Sequence, residues 1–295
     1  MPQSKTQNVL ITGASRGFGF LIARSLRKAG FGVVAAMRDP AGKNAGPAKI
    51  LKGEGAHVVA LDVIDDKSVE KGIAEAIQLA GHIDVVVNNA GVGAMGWVDT
   101  FTIDDFKRLF DVNVFGVQRV NRAILPHLKA NGGGTLIQIS SLLGRFVLPF
   151  LGPYNATKFA VEALADNYRL EGAAYGIQSL IVEPGAFGTE FSDNKIAASD
   201  KTRVATYGEQ AHAPEKRMEG FAEVLRGPKA PQPQMVADAI VKLLQTPAEK
   251  RPFRTTVDGL GMSGPIDAIN AATDNSVNQI YGSFGISATL AKKAA

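Results

Sequence analysis

Tyr154 and Lys158 stand four residues apart in a stretch whose pattern predicts a helix over 154–175, so their side chains share one helical face. Free tyrosine titrates at about 10. A phenol that basic serves poorly as a base at neutral pH, but a nearby ammonium stabilises the phenolate and lowers the value. The pair therefore has the chemistry to move a proton. Such pairs also arise by chance on helices, so the assignment rests on what surrounds them.

A second feature lies near the start of the chain. Asn8–Thr12 reads as a buried strand, a helix pattern runs from Phe18 to Ala29, and between them comes Thr12-Gly13-Ala14-Ser15-Arg16-Gly17-Phe18-Gly19. In that context each glycine has a use. Gly13 permits a tight turn, Gly17 lets the backbone approach a pyrophosphate, and Gly19 lets helix and strand pack closely. The helix N-terminus then offers free N–H groups and partial positive charge to phosphates.

Other chemistries are excluded or disfavoured. The 295 residues contain no cysteine, which removes disulfides, thiolate metal sites and thiol nucleophiles. The four histidines, His57, His82, His127 and His212, are scattered and form no metal-ligand pattern, so no metal is expected. No histidine is placed to activate Ser141, thirteen residues before Tyr154, as a nucleophile. The net charge is +4, with basic residues spread along the chain, so nucleic-acid binding is not expected. A mild positive bias would still help to draw in an anionic cofactor. The N-terminus lacks a signal-peptide pattern and no apolar run is long enough to span a membrane, which predicts a cytoplasmic protein without a membrane partner. The terminal Lys292-Lys293 reads as chance.

The elements that must hold these residues alternate along the chain. Apolar, β-branched runs predict strands at 8–12, 32–37, 57–61, 83–87, 134–139 and 178–182. Helical patterns separate them at about 67–80, 103–129, 154–175 and 233–245. Strands that are apolar throughout are covered on both faces, and this order gives a parallel sheet with right-handed crossovers. The fold class is therefore α/β: a single doubly wound parallel sheet of Rossmann type with helices on both faces, one domain over residues 1–295, with a nucleotide site at the carboxyl ends of the strands. Residues 186–232 are polar and punctuated by Pro and Gly, and read as a lid over the site, with a helical patch at 215–225. Residues 259–295 show little periodicity and read as a C-terminal extension that wraps the domain or a neighbouring subunit.

The turn spacing T-G-x-x-x-G-x-G, together with Asp62-Val63, Asn88-Asn89-Ala90-Gly91, Asn113, Ser141, Tyr154-x-x-x-Lys158 and Pro184-Gly185 in that order, resembles the short-chain dehydrogenase/reductase family from about Val9 to Thr189. The resemblance implies an oxidoreductase. It implies that Ser141 hydrogen-bonds the substrate oxygen while Ser140 is structural, and that Asn113 holds a water linking Lys158 to solvent. Lys158 would also reach the nicotinamide ribose. Asp62 and Val63 would contact the adenine, Asn89 and Gly91 would let backbone approach the cofactor, and Pro184, Gly185, Phe187 and Thr189 would meet the nicotinamide carboxamide. Gly13, Ser15, Arg16, Gly17, Phe18 and Gly19 would form the phosphate turn. Relatives pair as dimers or tetramers through the two long helices, which implies a homo-oligomer.

The acid that selects NAD would fall at Met37, so it is missing, and Arg38 follows. A guanidinium pairs well with a 2′-phosphate, and Arg16 is placed to reach the same group. NADP(H) is therefore expected over NAD(H), with Asp39 as the contrary sign. Leu142, Leu143, Phe146, Val147, Leu148 and Phe150, with Phe187, Phe191 and Phe221, suggest an apolar pocket for a hydrophobic or aromatic ketone, aldehyde or alcohol. The expected reaction is carbonyl reduction with Tyr154 as proton donor. The alternatives are an NAD-dependent alcohol dehydrogenase of the same family, an epimerase or dehydratase, and a nonenzymatic dinucleotide sensor. Epimerases and dehydratases usually carry T-G-x-x-G-x-x-G and a larger C-terminal domain; sensors typically lose the tyrosine or the lysine.

Overall fold

The computed structural model describes residues 6–193 and 195–286. In chain order the elements are β1 (Asn8–Thr12), α1 (Gly17–Lys28), β2 (Gly32–Met37), α2 (Ala45–Gly53), β3 (His57–Ala60), α3 (Asp66–Ala80), β4 (Val85–Asn88), β5 (Gly93–Met95), α4 (Ile103–Phe110), α5 (Gly116–Ala130), β6 (Gly134–Ile139), α6 (Gly152–Gly172), β7 (Ile177–Pro184), β8 (Lys195–Ala197), α7 (Lys201–Ala205), α8 (Ala213–Arg226), α9 (Gln234–Gln245), β9 (Arg254–Val257) and α10 (Ser263–Ser283). Seven strands form one sheet in the order β3-β2-β1-β4-β6-β7-β9, and every pairing is parallel. The chain runs outward from β1 to β3, then returns to place β4 on the other side of β1. The carboxyl ends of β1 and β4 thus flank a crevice at the point of reversal.

The apolar strand runs are explained by what covers them. Val9 and Ile11 of β1 face one layer with Ile22 and Leu26 of α1 and Ile240 and Leu244 of α9. Leu10 faces the other, with Ile73 of α3 and Ile124 and Leu128 of α5. Successive side chains point to opposite faces, and both faces are dry, so alternation disappears.

The expected helix over 103–129 is interrupted. A π turn at Asp111–Phe115 joins α4 to α5. Such a turn inserts an extra residue into the helix and re-aims its side chains. Here it carries Asn113, whose Nδ2 donates to the Val92 carbonyl (2.9 Å) while its Oδ1 accepts from the Val92 amide (2.9 Å).

The 186–232 segment is tethered. β8 pairs in parallel with β5 in a separate two-stranded sheet. Asp105, at the start of α4, accepts hydrogen bonds from the Ser199 amide (3.0 Å) and hydroxyl (2.7 Å). Burial pushes the Asp105 carboxyl up, but hydrogen bonds from Ser199 and Thr102, with Arg108 beside it, hold it well below the usual carboxylate range.

In the described part of the C-terminal extension, residues 259–286, α10 fills most of the segment and packs on its own chain beside β9, a helix that the weak periodicity did not announce. Its docking face is largely polar, which is why apolar periodicity missed it. Asn270 donates to Glu183 of β7 (2.7 Å), Thr273 accepts from Arg145 (2.9 Å), and Asp274 pairs with Arg254 of β9 (3.0 Å). Arg254 also meets Glu162 and Asp166 of α6 (3.0 and 2.9 Å) and lies 3.8 Å from Glu183. The expectations for Lys292 and Lys293 and for the rest of 287–295 lie outside the described residues.

This buried network predicts a pH effect. Burial, reinforced by the neighbouring Glu162 charge, pushes Glu183 up to about 7 from its ordinary 4.5. Folding then takes up a proton, so the associated stability is present below pH 4.5 and is lost as pH rises through about 7. Between about pH 5 and 8 the Tm of the protein should fall further than that of Glu183→Gln, by about 2–4 °C for each kcal/mol. Parallel melting curves across that range would show the network to be insensitive to this proton.

Candidate active site

At the crevice a lock joins the ends of β1 and β4. The Thr12 hydroxyl accepts from the amides of Asn89 (3.0 Å) and Ala90 (3.1 Å). The Asn89 amide group reaches back to the carbonyls of Thr12 (2.9 Å) and Gly13 (3.3 Å). A Cβ on Gly19 would lie 2.4 Å from the Asn89 amide nitrogen and 2.5 Å from the Gly13 oxygen. Gly19 is therefore required for close approach, and it lies beneath the cleft instead of lining it. Gly13 and Gly17 adopt positive φ (66° and 53°), the conformation that glycine tolerates without strain. The first turn of α1 carries no acidic residue and its N-cap, Arg16, makes no side-chain cap, so its N–H groups remain available to an anion.

A cleft of about 1060 Å³ runs from this turn to the lid. At its first end it is lined by Ser15, Arg16, Gly17, Phe18, Arg38, Lys43, Asp62 and Val63. Asp39 also lines this end, and its carboxylate accepts from the amides of Gly42 (3.0 Å) and Lys43 (2.8 Å). Arg16, Arg38 and Lys43 form no ion pair among the described residues. Three cations and a helix N-terminus around one volume fit a phosphate-bearing dinucleotide.

The middle of the cleft brings together Asn89, Gly91, Ser141, Tyr154, Lys158, Pro184, Gly185, Phe187 and Thr189. Ser141 follows β6 and caps a short 3-10 turn at Leu142–Gly144, its Oγ accepting from the Leu143 amide (3.1 Å) and donating to the Pro184 carbonyl (3.3 Å). Tyr154 and Lys158 occupy one face of α6, and the lysine is 7% exposed. Lys158 Nζ donates to the Ile139 carbonyl at the end of β6 (2.8 Å) and lies 5.6 Å from the centre of the Tyr154 ring. Burial pushes the Lys158 ammonium down to about 8, partly offset by the Glu162 carboxylate. Burial also pushes the Tyr154 phenol upward, against the lowering effect of the neighbouring Ser141 hydroxyl.

Burial is the larger influence on the Tyr154 phenol and acts against the lowering effect expected of a nearby ammonium. Asn113 lies beside the cleft and does not line it. Its amide is occupied by Val92 on both sides and by the Thr157 hydroxyl (3.1 Å), so it ties the loop after β4 to α6.

Phe187 touches the cleft but belongs to the core, packed edge-on against Phe18 at 5.5 Å. The apolar end of the cleft contains Leu142, Leu143, Phe146, Leu148, Phe191 and Phe221, as expected. Phe191 packs edge-on against Tyr154 at 5.7 Å. Val147 and Phe150 depart from the expectation: neither lines the cleft, Val147 being 66% exposed and Phe150 lining a neighbouring cavity. Sequence reasoning missed Lys43, which sits in a loop without a motif, and Glu162, whose i+4 spacing from Lys158 was the available signal. It also missed Arg254, which no local pattern marks.

Comparison with known proteins follows the same lines. The short chain dehydrogenase family model matches residues 7–200. The uncharacterized oxidoreductase YusZ of Bacillus subtilis is 32% identical over 239 residues, covering 79% of this chain and 83% of its own. A gluconate 5-dehydrogenase from Burkholderia cenocepacia, solved with NADP and tartrate, is 31% identical with a TM-score of 0.68, covering 86% of this chain and 94% of its own. A short chain dehydrogenase/reductase from Burkholderia phymatum, solved with NAD, is 25% identical with a TM-score of 0.73, covering 90% and 94%. The chain belongs to the short-chain dehydrogenase/reductase family, whose members are NAD(P)-binding oxidoreductases.

Proposed function

We propose that this oxidoreductase interconverts a hydrophobic or aromatic ketone or aldehyde and its alcohol, using NADP(H). The observation that carries the reading is the meeting of the Tyr154 and Ser141 hydroxyls midway along the cleft, between a cationic end and an apolar end.

Arg16, Arg38 and Lys43 would hold the phosphate-rich half of the cofactor, with the first turn of α1, and Thr189 with the Pro184–Gly185 backbone would hold the nicotinamide half. When bound, the nicotinamide supplies or accepts the hydride. The chain supplies everything else. Ser141 orients the carbonyl oxygen and stabilises charge that develops on it. Tyr154, kept protonated by burial, donates its proton to that oxygen, which suits reduction at neutral pH. Lys158, held against Ile139, places a positive charge under the ring that becomes phenolate. The apolar walls exclude water and favour an uncharged substrate. Exposed Phe115 and Phe159, at the start of α5 and on α6, support pairing of two or more copies through these helices.

Two results would check these assignments. Arg38→Ala should raise the KM for NADPH by about tenfold or more, since hydrogen bonds to charged groups contribute about 1.5–3 kcal/mol, and leave the KM for NADH unchanged. An unchanged NADPH value would remove Arg38 from cofactor selection. Tyr154→Phe should bind NADPH as the parent does but lose roughly 100- to 10,000-fold in kcat. Turnover within a few-fold of the parent would assign the proton to another group.

A further inference from the structure

A second cavity of about 330 Å³ lies beside the catalytic cleft, under α8. Leu148, Leu151, Arg217, Met218 and Phe221 line both spaces, so only side chains stand between them. The cavity's own walls are Met95 of β5 and Phe150 on one side and Val224 of α8 on the other. Arg217 alone among its lining residues is charged, and it is exposed.

This annex is held open by the fold. Phe150 adopts a positive φ of 69°, costly for a residue with a side chain. The conformation is secured by a hydrogen bond from the Gly96 amide to the Phe150 carbonyl (2.9 Å) and by Trp97, whose ring meets Phe150 edge-on at 4.8 Å. Trp97 in turn stacks on Tyr207 at 4.2 Å, beneath the lid. Opposite, Met218, Phe221 and Val224 recur at three-residue spacing on one face of α8. Phe221 and Val224 are 38% and 51% exposed, although they face the other wall across the cavity. An apolar helix face directed across a cavity at an apolar wall, next to the cleft that holds the reacting hydroxyls, suits an apolar chain.

We propose that the annex receives an unbranched aliphatic arm of the substrate, so that the carbonyl sits at Tyr154 and Ser141 while the arm passes Leu148 and Phe221 to lie between Phe150 and Val224. This deepens the proposed carbonyl chemistry and rests on it. The substrate class is then a ketone or alcohol with a long alkyl chain, whose affinity comes from methylenes removed from water. A polyhydroxylated arm would leave most of its hydroxyls unpaired there, Arg217 being the one charged residue of the lining.

Trp97 is the chain's single tryptophan and touches the annex wall, so its fluorescence reports occupancy without turnover. The probes are straight-chain methyl ketones with alkyl arms from propyl to decyl, read by Trp97 fluorescence and by kcat/KM with NADPH. Affinity and kcat/KM should both rise about fourfold for each methylene until the annex is full, then level off, which corresponds to roughly 0.8 kcal/mol per buried CH₂. Val224→Phe and Met95→Phe reach the annex but not the cleft, from opposite walls. Each should cut short the rise with chain length and leave the propyl ketone unchanged. A profile that is flat in the parent, or the same in the parent and both variants, overturns the inference. So does equal loss of short and long ketones in both variants. If no ketone is reduced but fluorescence still shows graded, saturable binding that the variants cut short, the annex stands and the proposed reaction falls.

Discussion

A buried ammonium is the constraint on which this site depends. Lys158 is almost fully enclosed, and a charge taken out of water must be satisfied or neutralised. It is satisfied by the Ile139 carbonyl at the very end of β6, which fixes α6 against the strand, and by the field of Glu162 one turn further along. Once Lys158 is fixed, Tyr154 on the same face is fixed as well, beside Ser141, which caps the turn that leaves β6. The same dehydration acts on both titrating groups in opposite senses. It lowers the lysine and raises the tyrosine, and the result is a resting acid beneath which a positive charge is already in place.

The surrounding fold supports that arrangement from three sides. The Thr12–Asn89 hydrogen bonds, with Gly19 leaving room for the Asn89 amide, tie the end of β1 to the turn after β4 at the crevice that faces the tyrosine. The π turn aims Asn113 at Val92 and Thr157, which stitches the loop after β4 to the helix carrying Tyr154 and Lys158. Behind the site, Arg254 gathers Glu162 and Asp166 of α6, Glu183 of β7 and Asp274 of α10. Two buried carboxylates near one guanidinium cost more than an apolar contact would. What they provide is connection: the C-terminal helix is joined electrostatically to the helix of the reaction centre.

The sheet and most of the site were legible in the sequence because both depend on local patterns. Doubly covered strands read as apolar runs, and β1, β2 and β6 fell where those runs predicted. The glycine turn follows β1 and Ser141 follows β6, while Tyr154 and Lys158 share one helical face; that they belong to one site was implied by the family resemblance. What was not legible depends on partners remote in sequence. The α10 helix buries a polar face, so its signal lies in pairings such as Asn270 with Glu183, 87 positions apart. Asn113 reads in sequence as an amide needing a partner, but the partner, Val92, follows from a π turn that periodicity does not announce. Val147 sits among apolar neighbours yet faces outward, because a loop without regular structure has no period from which to infer direction.

Burial keeps Tyr154 an acid, with its proton held for the substrate oxygen. An ultraviolet titration of the cofactor-free protein, with the Tyr154→Phe signal subtracted to isolate one phenol, reads this proton. The Tyr154 phenolate should appear only above the ordinary tyrosine range of about 10. A phenolate already formed at about pH 7–8 would show that Lys158 outweighs dehydration and would contradict this expectation.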